Sequence, residues 1–337
     1  MKGKKILYLE QLRALASILV VVIHVASQNW KVIDVNSINW QIMNIYDSFA
    51  RVAVPIFVMI SGAIFLSKDR SYKIKDLFKK YIMHIFLVLI IWSFFYAIFY
   101  YLKNGETLAK FWTRFVGGHY HLWYLFMLIG LYLILPLLKK ITESKELTEY
   151  FLILSFVLTT LLPTLIKFPS LKWMNDPFSS LHYHFTVGYS SYFMLGHYLH
   201  EYELNPKQQK LIYVLGIFGL LFTIVSTYFM SQINQTAYKG FYNNFCFGVV
   251  FEAIAIFVYF KYRSIKCVKI PLFIAKYSFG VYLVHVFVID QLKIMGLHTL
   301  MCPAVLSVPI MIVLVFMISL VISYLLNHIR FLAKYIF

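Results

Sequence analysis

Continuously apolar runs of about twenty residues recur along the whole chain, and this decides what it can fold into. At 1.5 Å per residue such a run matches a hydrocarbon core ~30 Å thick. In lipid every backbone N–H and C=O must be satisfied internally, so only helices or a closed barrel can cross. Barrel strands alternate apolar and polar residues; these runs do not. The expected fold is all-α and polytopic, with ten transmembrane helices over roughly 6–27, 44–67, 80–102, 121–138, 149–167, 187–203, 210–230, 241–261, 277–295 and 304–327. Charged residues make up 13% of the chain, against about a quarter in a soluble domain. No Gly/Ser/Pro-rich linker and no repeat interrupts it, so one integral membrane domain is expected over 1–337. The expected location is a cell membrane, as a multi-pass protein of a bacterial plasma membrane.

The formal net charge of +17 does not point to nucleic acid. The basic residues sit in short loops between apolar runs. The N-terminus, 68–80, 139–145, 201–210, 261–269 and the C-terminus hold twenty Lys and Arg, and the alternate loops far fewer. That asymmetry predicts cytoplasmic termini. Cys246, Cys267 and Cys302 have neither metal nor disulfide spacing, and no metal site is expected.

The first run, Ile6 to Ala26, carries Glu10, Arg13 and His24. Charges interrupt it and Val25-Ala26-Ser27 is a poor cleavage site, so it is expected to be retained. Translocon scales charge about 2.5–3.5 kcal/mol for a central Arg, which is tolerated where the side chain faces protein, water or ligand. Arg13 and His24 are eleven positions apart: three turns plus ~20°, hence one face, and ~16 Å along the axis. Glu10 lies within ion-pairing reach of Arg13. The plain alternative is mutual neutralisation of Glu10 and Arg13, with His24 at the interface.

Further candidates follow along the chain. Asp47 and Arg51 have i,i+4 spacing and can bridge. In VAVPIFVMISG, residues 52–62, Pro55 removes a helix donor and Gly62 after Ser61 allows close backbone approach. Loop 68–80 holds six basic residues, suited to topology, anionic lipid or an anionic cytosolic ligand. GGHYHLWYLFML crowds His119, His121, Trp123 and Tyr124 at the start of a helix. There i,i+2 histidines point to different faces, against a metal pair. The outer loop 168–186 contains Trp173, Asp176, His182, Tyr183 and His184. His197 and Glu201 have pairing distance in sequence. Glu252 stands mid-helix without a basic residue within a turn, a site candidate unless Arg13, Arg51 or a histidine neutralises it. Ser278, Tyr282 and His285 form one polar stripe at i, i+4, i+7.

Four of these pieces together resemble the acyltransferase 3 family of integral membrane acyltransferases. They are Arg13 and His24 in LEQLRALASILVVVIH, VPIFVMISG at 54–62, HLWYL at 121–125 and YSFGVYLVH at 277–285. They occur in the family's order, and the closer similarity is to short single-domain O-acetyltransferases acting on surface polysaccharide or its lipid-linked precursors. The resemblance implies transfer of an acyl group, usually acetyl from cytosolic acetyl-CoA as co-substrate, to an outward-facing hydroxyl. It makes His24 and Arg13 the catalytic pair, with no bound cofactor. Lys79, Lys80, Ser61, Tyr282 and His285 are then expected on the acyl-CoA side. Arg51, His119, His121, Trp123 and Glu252 are expected on the acceptor side. Many relatives carry an arginine-rich stretch ahead of the third helix. Here 76–81 offers only lysines, which hold phosphate as point charges rather than bidentate forks. With no appended hydrolase-like domain expected, acceptor binding falls to the membrane domain and outer loops. The expected partners are acyl-CoA, a saccharide or other hydroxyl acceptor, and membrane lipid.

A transporter or flippase for a lipid-linked saccharide also needs many helices and buried polar groups. It more often shows inverted repeats and matched broken helices, and here Pro55 and scattered glycines are the only such features. A scaffold subunit of a polysaccharide synthase leaves Arg13 and His24 dispensable.

Overall fold

The computed structural model describes residues 6–168, 188–263, 269–329 and 332–333. Every regular element among them is helical: α1 (Leu7–Ala26), α2 (Ile38–Ala50), α3 (Ala53–Phe65), α4 (Ile74–Asn104), α5 (Leu108–Gly117), α6 (Trp123–Ile141), α7 (Lys145–Leu165), α8 (Ser190–Glu201), α9 (Pro206–Asn234), α10 (Phe247–Tyr262), α11 (Lys269–Ile294) and α12 (Ala304–His328). Among the described residues nine segments are long and apolar enough to cross a membrane, α2 with α3 forming one of them. α8, with twelve described residues, is shorter than these nine. The expected all-α polytopic architecture is therefore the observed one. Trp173, Asp176, His182, Tyr183, His184 and Cys267 lie outside the described residues.

The helices run up and down. On the side where α1 begins, Tyr8 meets His200 at 2.5 Å, Lys139 Nζ donates to the Leu66 carbonyl at 2.9 Å, and Lys261 pairs with Glu203 at 3.1 Å. On the opposite side Asn29 donates to Thr299 at 3.0 Å, and the Ala304 amide donates to Asn39 at 2.9 Å. α1 is the central helix. It packs against α2, α3, α10, α11 and α12, and both Leu12 and Val21 are fully buried. The outer helices present apolar side chains such as Ile217, Leu221 and Phe229 of α9 outward, as lipid requires.

Several boundaries differ from the sequence reading. The second span starts at Ile38 rather than 44, capped by the Ser37 side chain, and it breaks at Arg51-Val52. Pro55 causes the break: inside a continuous helix its ring would strike the carbonyl four residues back, that of Arg51. After the break Pro55 falls in the first turn of α3, where its missing N–H costs nothing. α11 begins at Lys269 rather than 277. The sequence reading also left out α5, a short helix packed on α4 by Phe94–Phe111 and Phe94–Phe115 contacts at 6.1 Å.

Small residues set the closest helix pairs. A Cβ on Gly62 would lie 1.8 Å from the Phe193 carbonyl oxygen, and one on Gly196 would lie 2.0 Å from that of Met59, so α3 and α8 touch backbone to backbone. Gly62 thus does what VPIFVMISG led us to expect. Gly62→Ala is expected to destabilise the purified protein by at least the ~1–3 kcal/mol typical of overpacking. Gly130→Ala, where nothing lies within 4 Å of the added carbon, should be neutral. Thermal unfolding followed by size-exclusion chromatography in detergent checks both.

Candidate functional site

Because α1 is one unbroken helix, Arg13 and His24 keep the shared face that their spacing predicts. That face borders a cavity of about 470 Å³ between α1, α3, α4, α6 and α11. Arg13, Ser61, His84 and Lys276 line it toward the side where α1 begins, and His24, Arg51, His121 and Trp123 toward the other. Val20, Ile23, Val54, Phe57, Leu128 and Phe279 supply apolar wall between them. Arg13 donates to Glu10 at 3.0 Å, as the i,i+3 spacing suggested. A guanidinium has five N–H donors, so this pair leaves donors over.

A second cavity, of about 540 Å³, adjoins the first. Ile23, His24 and Arg51 line both. His24 is thus a partition residue, reachable from either space. Arg51 sits at the α2–α3 break, ion-paired to the fully buried Asp47 and stacked 4.3 Å above the Tyr242 ring.

Behind His24 lies a cluster of imidazoles. The rings of His24 and His285 are 4.9 Å apart and those of His121 and His285 are 5.4 Å apart. His119 Nδ1 and His121 Nδ1 are 2.9 Å apart. The i,i+2 argument placed these last two on different faces. It fails because they are not on an α-helix: His119 is extended and Tyr120–Leu122 is a 3-10 turn. His285 Nδ1 lies 2.7 Å from the Tyr282 carbonyl and 3.1 Å from that of Val281. Carbonyls only accept, so Nδ1 carries the proton and Nε2 is left as an acceptor. Tyr282 in turn donates its hydroxyl to the His121 carbonyl at 2.8 Å, tying α11 to the turn before α6. The polar stripe of α11 therefore divides. Ser278 and Tyr282 line the first cavity, and His285 supports His24 from behind.

Other candidates stand elsewhere. Ser61 and Trp123 line the first cavity, but His119 borders neither. Lys79 and Lys80 are exposed on a π-helical turn, Leu77–Ile82, with Lys80 3.5 Å from Asp76. The first cavity-lining residue on α4 is His84, one turn beyond Lys80. Glu252 is buried on α10 away from both cavities, and neither carboxylate oxygen has a hydrogen-bond partner among the described residues. It pairs with neither Arg13 nor Arg51, whose partners are Glu10 and Asp47. His197 does not bond Glu201, which accepts from the Lys68 amide at 3.4 Å. The sequence reading missed His84, Tyr132, Asn244 and Lys276 on the wall. One of these was legible: Tyr124, Leu128 and Tyr132 follow i, i+4, i+8 on α6.

Cavity access is measurable. In a background with Cys246, Cys267 and Cys302 changed to Ser, Ser61→Cys is expected to react with a small maleimide several-fold faster than Ser93→Cys. Ser93 is 2% exposed and off the cavity. Equal rates measured by mass shift would mean that the cavity is closed to solutes.

No curated protein and no solved structure matches the chain. A family model described as an acyltransferase domain matches residues 6–328, nearly end to end. With its transmembrane helices and this match, the chain is a membrane acyltransferase belonging to the acyltransferase 3 family.

Proposed function

We propose that this protein moves an acyl group, acetyl in the simplest case, from cytosolic acyl-CoA to a hydroxyl of an extracytoplasmic saccharide or its lipid-linked precursor. The observation that carries this reading is the cavity bordered by both Arg13 and His24, which meets a second cavity at His24. The excess of Lys and Arg where α1 begins supports placing that side in the cytoplasm. Acyl-CoA then approaches from the side of Arg13, His84 and Lys276. Its phosphates can meet Arg13, Lys276 and the exposed Lys79 and Lys80. The ~16 Å between Arg13 and His24 suits an extended pantetheine arm along the apolar wall.

In this reading His24 is the general base, since its imidazole borders both cavities and can take up the proton of an attacking hydroxyl. The acceptor hydroxyl attacks the thioester carbonyl carbon. A C–O bond forms and the C–S bond breaks. The hydroxyl proton passes to His24 and on to the departing thiolate, leaving the ester and CoA thiol. Arg13 holds the donor, and Arg51 and Trp123 flank the approach of the acceptor. His285, with its proton fixed on Nδ1, orients the His24 ring.

His24→Ala should cut acceptor-dependent release of CoA thiol from acetyl-CoA by about 10²–10⁴-fold while the protein still accumulates in membranes. Arg13→Ala should mainly raise the KM for acetyl-CoA. A thiol assay on purified protein reads both, and near-normal turnover of His24→Ala would discard His24 as the base. A transporter would release no thiol at all.

A further inference from the structure

The second cavity carries more positive charge than its surroundings explain. Lys31 reaches it from the loop after α1, Lys167 from the end of α7, and Lys239 from the turn before α10, while Arg51 lies at its junction with the first cavity. Among the described residues the one acid on its wall is Asp47, already paired to Arg51. None of the three lysines forms an ion pair with a carboxylate among the described residues. By contrast Arg114, on the same side, is held by Glu106 at 2.7 Å. Among the described residues Lys167 donates to the Pro163 carbonyl, at 3.1 Å. Burial and then the neighbouring Lys31 push the Lys239 ammonium below its usual pKa, as two cations sharing a space must. Topology does not account for the grouping, because this side is the one poor in Lys and Arg. Three separate loops nonetheless deliver a lysine to one cavity, beside the rings of Trp30, Tyr120 and Tyr242.

We propose that the acceptor is an anionic saccharide or polyol. Lys31, Lys167 and Lys239 bind its phosphodiester or carboxylate group, and Trp30 and Tyr120 flank its uncharged part. Ammonium groups suit either anion, since they act as point charges without the planar fork of arginine. The bound anion supplies the counter-charge that the wall lacks. It also leaves a hydroxyl of the same residue or its neighbour at His24, the partition between the cavities. This deepens the acyl-transfer reading and rests on it only in calling the ligand an acceptor.

The test is binding rather than turnover. The full chain, purified in detergent, is titrated with a glycerol phosphate oligomer, a galacturonate oligomer and a neutral glucose oligomer, followed by tryptophan fluorescence and calorimetry. At least one anionic oligomer should bind about tenfold or more tightly than the neutral one at low salt, and the preference should shrink as salt rises. Which anionic oligomer wins tells phosphate from carboxylate. The triple variant Lys31→Gln, Lys167→Gln, Lys239→Gln should lose the preference, whereas Lys103→Gln with Lys110→Gln, away from the cavity, should keep it. If the triple variant does not elute like the parent chain, Lys31→Gln with Lys239→Gln, both exposed, gives the same reading. Equal binding of charged and neutral oligomers, or a preference that survives these changes, overturns the proposal. Charge-selective binding without thiol release would keep it and sink acyl transfer; thiol release with no charge preference would do the reverse.

Discussion

A guanidinium inside a lipid layer must be given by protein the solvation that lipid withholds. Arg13 imposes that condition here, and much of the bundle answers it. Glu10 takes one of its donors from three residues away, and a cavity among five helices takes up the face they share. α1 is central for this reason: a helix with a polar face toward the interior and apolar faces elsewhere is stable when neighbours surround it. Asp47 and Arg51 repeat the solution at the other end of the cavity, with the Tyr242 ring as a third partner.

His24 gains its place from two directions. It is far enough along α1 from Arg13 to reach the meeting point of two spaces. It is backed by His285, whose proton is fixed by helix carbonyls, and through it by the turn that carries His121. Ring-to-ring packing on that side restricts how the His24 imidazole can turn.

What the sequence revealed follows the range of the physics involved. Features within one helix were legible: the common face of Arg13 and His24, the Glu10 and Asp47 pairs, the stripe of Ser278, Tyr282 and His285. Gly62 was legible as a close-approach residue, though its partner Gly196 was not, because contact between distant segments leaves no local pattern. His119 and His121 were misjudged on the assumption of helical geometry where the chain makes a 3-10 turn. Glu252 drew attention as a membrane acid, but burial away from both cavities depends on how α10 is rotated, which its nearly uniform apolar sequence does not encode. Lys31, Lys167 and Lys239 lie far apart in the sequence, and only the fold brings them to one wall.

The backbone contact between α3 and α8 has a mechanical consequence. With carbonyls seated where side chains would be on Gly62 and Gly196, the two helices have no compressible layer between them and cannot slide past each other by degrees. They behave as a single plank, and Phe57 and Ser61 ride on its inner surface. Widening of the cavity then comes from its other walls, α1, α4, α6 and α11, or from α3 and α8 moving as one piece.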